Sequence, residues 1–194
     1  MLSYFHLSLN TLKQAGTLTV KKFENLGTLW LDSLNIVSLL SEFLITKTVK
    51  KSDIGIERNE EPRDTRYSKL TLGKVFMVFP NVSSLRINSV SWLELEACLN
   101  PEGWEILDGR KGLKTFCAYL MLVDPSLTFS SVACVLDQCE GLFEVSLLIN
   151  RNFVGIESES FMSKCMARWP GLKWRWGMWR ENMEDFLGDE EWYI

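Results

Sequence analysis

The sequence predicts an α/β fold of stacked units, with short parallel strands forming a ladder and helices lying outside it. Three observations predict it. A short motif recurs at a near-constant period, an alternating apolar pair follows most copies, and a stretch with helical spacing follows each pair.

The motif is a lead residue, two small or polar residues, then an aliphatic. It stands as FENLGTLWL from Phe23, FPNVSSLRI from Phe79, RKGLKTFCA from Arg110, CEGLFEVSL from Cys139 and WPGLKWRWG from Trp169. The aliphatics are Leu26, Val82, Leu113, Leu142 and Leu172, so the gaps are 56, 31, 29 and 30 residues. The first gap is twice 28, room for a hidden unit, and KSDIGIE (Lys51 to Glu57) is the candidate, with Ile54 and Ile56 as its alternating pair.

The strands follow from apolar residues three and five positions after each aliphatic. These are Leu29 and Leu31, Leu85 and Ile87, Phe116 and Ala118, Val145 and Leu147. A spacing of two marks one face of a strand. The helices follow from spacings of three and four. Ile36, Leu40, Phe43 and Leu44 share a face after Asp32 or Ser33. Trp92, Leu95 and Leu99 do so after Ser91, Val132, Val135 and Leu136 after Ser130 and Ser131, and Phe161, Cys165 and Met166 after Ser158 and Ser160. Serine and aspartate at those starts can cap first-turn N–H groups.

One strand and one helix cannot bury their own apolar faces. Stacked copies can, which makes the array a leucine-rich-repeat solenoid with irregular repeats of about 28–31 residues. The alternative is an ordinary α/β domain whose units are alike by accident. The expected organisation is an N-terminal segment 1–22, a repeat array 23–180 and an acidic tail 181–194. Within the array, 47–66 holds eleven charged residues in twenty and reads as a charged loop or degenerate repeat.

Composition narrows the function. Apolar residues make up 46%, charged residues 24%, and the net charge is −4, so no global basic field attracts nucleic acid or an anionic membrane. No apolar run reaches the roughly 20 residues of a spanning helix, and the opening MLSYFHLSLN lacks the marks of a secretory signal. The expected place is cytoplasm or nucleus, with no membrane partner. Five cysteines (Cys98, Cys117, Cys134, Cys139, Cys165) form no C-x-x-C pair, which points to small buried hydrophobes rather than a metal site. The one histidine, His6, sits among the first residues, and no glycine-rich phosphate loop occurs. A non-enzyme without cofactor or metal is expected.

The units FPNVSSLRI, CEGLFEVSL and WPGLKWRWG resemble the C-terminal repeats of plant F-box/LRR-repeat proteins. There a Cys, Phe or Trp leads into Pro-Asn-Leu or Glu-Gly-Leu before a strand. The resemblance covers about 23–179 and is best from Val75 onward. It implies repeats that hold a target protein, joined to an N-terminal F-box that holds the Skp adaptor of an SCF ubiquitin ligase. The chain departs from the family in having no Leu-Pro pair, with which the F-box opens; its first proline is Pro62. It therefore reads as the repeat portion alone, meeting Skp adaptor and cullin only if an F-box function is supplied. The asparagine that many such repeats carry eight positions after the key leucine survives only at Asn150.

On such a ladder, residues alternating with the buried pair face the concave side, where a target protein would sit. The candidate partner-binding residues are Trp30, Ser84, Arg86, Asn88, Thr115, Tyr119, Glu144 and Ser146. Trp30, Arg86 and Tyr119 are of the types that dominate binding hot spots. Thr28, Asp32, Cys117 and Leu148 share the same alternation.

In the last unit the template phase would bury Arg175 and expose Trp174 and Trp176. An unpaired buried guanidinium is costly. Slipping the phase by one turns Leu172, Trp174, Trp176 and Met178 inward and Lys173 and Arg175 outward. Trp169, Trp174 and Trp176 then form a C-terminal cap over the open end of the core. The rival is a single-stranded nucleic-acid face, with tryptophans on bases and the five basic residues of 164–180 on phosphates. The net acidity and the six acids of 181–191 count against it. A further alternative is a repeat-binding module or truncated remnant with no tie to the ligase.

Overall fold

The computed structural model describes residues 4–8, 28–32, 51–55, 71–78, 80–98, 112–180 and 190–192, with the first three segments and the last as backbone. Seven parallel strands and one antiparallel strand form a single sheet whose spatial order is the chain order. They are β1 (Tyr4–Ser8), β2 (Thr28–Asp32), β3 (Lys51–Gly55), β4 (Ser84–Ile87), β5 (Thr115–Leu120), β6 (Glu144–Asn150), β7 (Lys173–Trp179) and β8 (Glu190–Trp192). The described helices are α1 (Leu72–Val78), α2 (Ser89–Cys98), α3 (Pro125–Gln138) and α4 (Ile156–Arg168). Parallel neighbours need a crossover between them, and α2, α3 and α4 supply it between β4 and β7.

The recurring motif closes a turn between helix and strand. Leu142 N–H donates to the Cys139 carbonyl at 3.0 Å, and Leu172 N–H to the Trp169 carbonyl at 3.2 Å. In each, the lead residue accepts and the aliphatic three positions on donates, the pattern of a β-turn. The ladder starts at once: Lys114 N–H donates to Ser83 O, Phe143 N–H to Lys114 O and Lys173 N–H to Phe143 O, at 2.8–2.9 Å.

Register aligns the predicted apolar pairs. Leu85, Phe116, Val145 and Trp174 form one row, and Ile87, Ala118, Leu147 and Trp176 the next. Leu85, Ile87, Phe116, Ala118, Val145 and Leu147 are buried in a core that also takes Val75 and Phe76 of α1, Trp92 and Leu95 of α2, Val132, Val135 and Leu136 of α3, and Phe161 and Cys165 of α4. All four helices therefore cover one face of the sheet. In the last unit Lys173, not Trp174, stands opposite Glu144. The turn into β7 is thus one residue shorter than in the unit before, and this slip places both tryptophans in core rows.

The hidden unit differs in phase from the reading above. β3 aligns Ser52 with Leu85 and Ile54 with Ile87, so Ser52 and Ile54 occupy the core rows. Ile56 lies outside the described residues, as do Ile36, Leu40, Phe43, Leu44 and Leu99.

The helix starts also need correction. Asn88, not Ser91, caps α2: its Oδ1 accepts from Ser91 N–H at 2.9 Å. Asp124 caps α3, accepting from Ser126 and Leu127 N–H at 2.9 and 3.0 Å. Pro125 follows at a position that needs no N–H. Ser130 and Ser131 lie a turn inside, donating back to the Ser126 and Leu127 carbonyls. In α4 the first turn closes on Gly155, whose N–H donates to Ser158 Oγ while that hydroxyl donates to the Gly155 carbonyl. Met166 is 40% exposed, so the inward face of α4 is Ser158, Phe161 and Cys165.

Candidate functional site

The face of the sheet away from the helices carries the alternate residues in rows. One row reads Thr28, Lys51, Ser84, Thr115, Glu144, Lys173, and the next Trp30, Asp53, Arg86, Cys117, Ser146, Arg175. The backbone register thus brings seven of the eight predicted partner residues onto one face, with Tyr119 beside Leu148 and Gly177 a row further along. Trp30 is placed by its backbone alone, opposite His6 on one side and Asp53 on the other. His6 thus belongs to a strand. Asn88 is the exception: it follows β4 and is committed to the start of α2.

The face is not uniformly open. Ser84, Arg86, Thr115 and Glu144 are half-buried, and Ser146 is nearly covered. Tyr119 is only 4% exposed. It packs with Leu148 and Trp179 in a second, smaller apolar cluster on this face. The Tyr119 and Trp179 rings meet edge to face, 5.9 Å between centroids at 76°. Trp179 Nε1 reaches past β6 to donate to the Leu120 carbonyl of β5 at 3.2 Å. The expectation of Tyr119 as an outward contact therefore changes: it is a packed residue that positions Arg86. Arg86 Nη1 donates to the Tyr119 hydroxyl at 3.1 Å, with the guanidinium carbon 5.8 Å from the ring centroid.

The charged end of the face is organised by Glu144. Lys173 Nζ lies 2.9 Å from one carboxylate oxygen and Arg175 Nη1 3.7 Å from the other. The Lys173 hydrogen bond, more than any other influence, holds the Glu144 carboxyl below the usual carboxylate range.

The three tryptophans at the end of the array occupy one aromatic run. Trp169 lies 6.3 Å from Trp174, which stacks on Trp176 at 5.2 Å and 11°, and Trp176 meets Phe161 edge on at 6.2 Å. Phe129 of α3 joins through Trp169 at 6.0 Å. Trp174 Nε1 donates to the Trp169 carbonyl, and Trp169 Nε1 to Asp137 Oδ1 at 2.9 Å. Arg168 pairs with the other Asp137 oxygen and lies 5.0 Å over the Trp169 ring. Trp174 and Trp176 stack, while Trp169 meets Trp174 at a tilt of 50°.

Sequence reasoning missed Trp179, Asp137 and Phe129. Trp179 was within reach: once Trp174 and Trp176 are inward, period two puts residue 179 on the opposite face. Among the described residues, no group of three or more His, Cys, Asp or Glu could hold a metal ion, and no helix is long and apolar enough to cross a membrane.

Fold and face together define an α/β protein built on a parallel sheet in chain order, with one face covered by helices and the other carrying rows of polar side chains. Over 184 residues it is 25% identical to an F-box/LRR-repeat protein of Arabidopsis thaliana, a match spanning 93% of this chain and 40% of that protein. The chain is similar to that protein and spans well under half of its length. No protein-family model and no solved structure matches it.

Proposed function

We propose that the chain is a leucine-rich-repeat solenoid that binds a target protein on its concave face, opposite the described helices, without catalysis. The observation that carries this reading is the alignment of like positions across successive strands, which stacks Ser84, Thr115 and Glu144 in one row and Arg86, Cys117 and Ser146 in the next. Repeats present extended recognition surfaces in this way. Half-buried polar side chains on a rigid sheet suit a protein surface better than a small ligand, which would call for a closed apolar pocket.

Trp30, Ser84, Arg86, Thr115, Glu144 and Ser146 are the contact residues in this reading, with Tyr119 holding Arg86 in place. Trp169, Trp174 and Trp176 cap the last unit, since a terminal repeat has no neighbour to cover its core. The protein works in the cytoplasm or nucleus. Its similarity to an F-box/LRR-repeat protein supports the role of substrate recognition for an SCF ubiquitin ligase, with Skp adaptor and cullin reached through an F-box function outside this sequence. Affinity purification from its own cells, scored for Skp adaptor and cullin, tests the tie. Recovery of both supports it. Recovery of a discrete target without them makes the protein a repeat-binding module outside the ligase.

A further inference from the structure

We propose that the rim formed by the connections leaving β5 and β6 is a second docking surface, and that it takes a basic amphipathic helix of a partner protein. This goes beyond the concave-face reading and does not depend on it. Seven large apolar side chains are exposed among the described residues, and four of them stand at this rim: Val123 at 68%, Leu127 at 43%, Val154 at 47% and Ile156 at 86%. β5 and β6 run parallel, and Leu120, the last residue of β5, stands opposite Ile149, one short of the end of β6. Their connections therefore leave the sheet side by side. The helices that follow are aligned too, with the rings of Phe129 in α3 and Phe161 in α4 6.5 Å apart. Leu127 lies in the first turn of α3 and Ile156 opens α4, so the four apolar side chains share one edge of the array.

The backbone is committed to this exposure. Leu122 has φ 51°, in the left-handed region, and is the one non-glycine residue to adopt it among the described residues. A Cβ makes that region costly. Here it buries Leu122 in the core and leaves the next residue, Val123, in solvent. Exposed apolar residues scattered singly are ordinary, whereas a contiguous group marks a contact site. Charge then selects the occupant. The charged side chains on the two connections and the first turns after them are Asp124, Arg151, Glu157 and Glu159, all exposed, three acids and one base. Acids in a first turn also suit the helix dipole, but here two of them adjoin Ile156. Such a rim disfavours nucleic acid, an anionic membrane, the acidic residues 181–191 of this chain and a second copy of itself, and favours Lys and Arg. Four apolar side chains across two connections call for an apolar face rather than a single anchor, which a basic amphipathic helix presents.

The test uses the full chain and a labelled, end-blocked peptide, Leu-Lys-Lys-Leu-Leu-Lys-Leu-Leu-Lys-Lys-Leu-Leu-Lys-Leu, with fluorescence anisotropy as readout. A matched peptide with Glu for every Lys is the control. Saturable binding of the Lys peptide is expected, weaker by about tenfold or more for the Glu peptide. Val123→Ser with Ile156→Ser should weaken binding of the Lys peptide by about tenfold or more. Glu157→Lys with Glu159→Lys should reverse the preference between the peptides. If that variant does not fold, Glu157→Gln with Glu159→Gln carries the same test, with discrimination narrowed. Arg86→Ala should leave peptide binding unchanged, so the outcome here is separate from that of the concave-face reading. Equal binding of both peptides, no saturable binding, no response to the two serines, or loss of binding in Arg86→Ala would overturn the proposal. So would a dimer in sedimentation that Ile156→Ser dissociates, or binding to phosphatidylcholine vesicles that Ile156→Ser abolishes.

Discussion

The indole of Trp174 lies on that of Trp176, 5.2 Å between centroids and 11° from parallel, with Trp176 almost fully buried. The pair occupies the row positions held by Val145 and Leu147 one strand earlier. Aromatic bulk at the last rows makes the end of the core sensitive to truncation there.

Trp176→Ala should therefore destabilise the fold by about 3–5 kcal/mol in urea unfolding. Trp176→Phe should cost much less, because the buried Trp176 Nε1 has no hydrogen-bond partner among the described residues and its loss breaks no bond there. Equal losses in the two variants would mean that the indole N–H does bond in solution.

Tyr119→Phe removes the hydroxyl that accepts from Arg86 while leaving the ring against Trp179. A stability loss of about 0.5–1.5 kcal/mol is expected. If Arg86 contacts a target, binding should weaken in the same variant, because the guanidinium loses its anchor. Isothermal titration with the recovered target reads the effect. Unchanged affinity, with Arg86→Ala impaired, would show that Arg86 needs no positioning.

Glu144 and Glu96 should impose opposite pH dependences on stability. The folded-state pKa of Glu144 is lowered, chiefly by the Lys173 hydrogen bond, so its contribution is present above the ordinary carboxylate pKa of 4.5 and fades as pH falls through the folded value. Burial raises the pKa of Glu96, against the pull of the Trp92 donor, whose Nε1 lies 2.6 Å from Oε1. Its contribution is present below 4.5 and lost as pH rises through the folded value. Denaturation across pH 3.5–7, a span of about three units bracketing the carboxylates, should show Glu144→Gln flattening the acid-side loss. Glu96→Gln, which keeps an acceptor oxygen for Trp92, should remove the decline on the neutral side.

Cys165 is fully buried and its thiol is pushed up to about 12 by burial. Cys117 is partly exposed. Iodoacetamide at mildly alkaline pH should label Cys117 in the native protein and Cys165 only after unfolding, as read by peptide mass spectrometry. Labelling of native Cys165 would place α4 away from the sheet.

Much of the parallel ladder could be read from the sequence, because apolar residues at period two after a period near 30 have few other physical solutions. Leu85, Phe116 and Val145 fell in one row for that reason. Helix starts were less legible. Serines are common near caps, but at α3 the Asp124-Pro125 pair outcompeted Ser130 and Ser131, which bond backward within the helix instead. The face of Tyr119 was predicted and its burial was not, since that burial depends on Trp179, two strands away and sixty residues on. Short-range periodicity carries no such long-range packing.

The most direct test of the central claim is site-specific photocrosslinking in the protein's own cells. A photoreactive residue replaces Ser84 or Thr115 on the face opposite the described helices, or Glu159 or Lys164 on the outer surface of α4. The account predicts a discrete crosslinked protein from the first pair, lost on adding Arg86→Ala, and none shared with the second pair. Crosslinks from α4 alone would contradict it and move the binding surface to the helices.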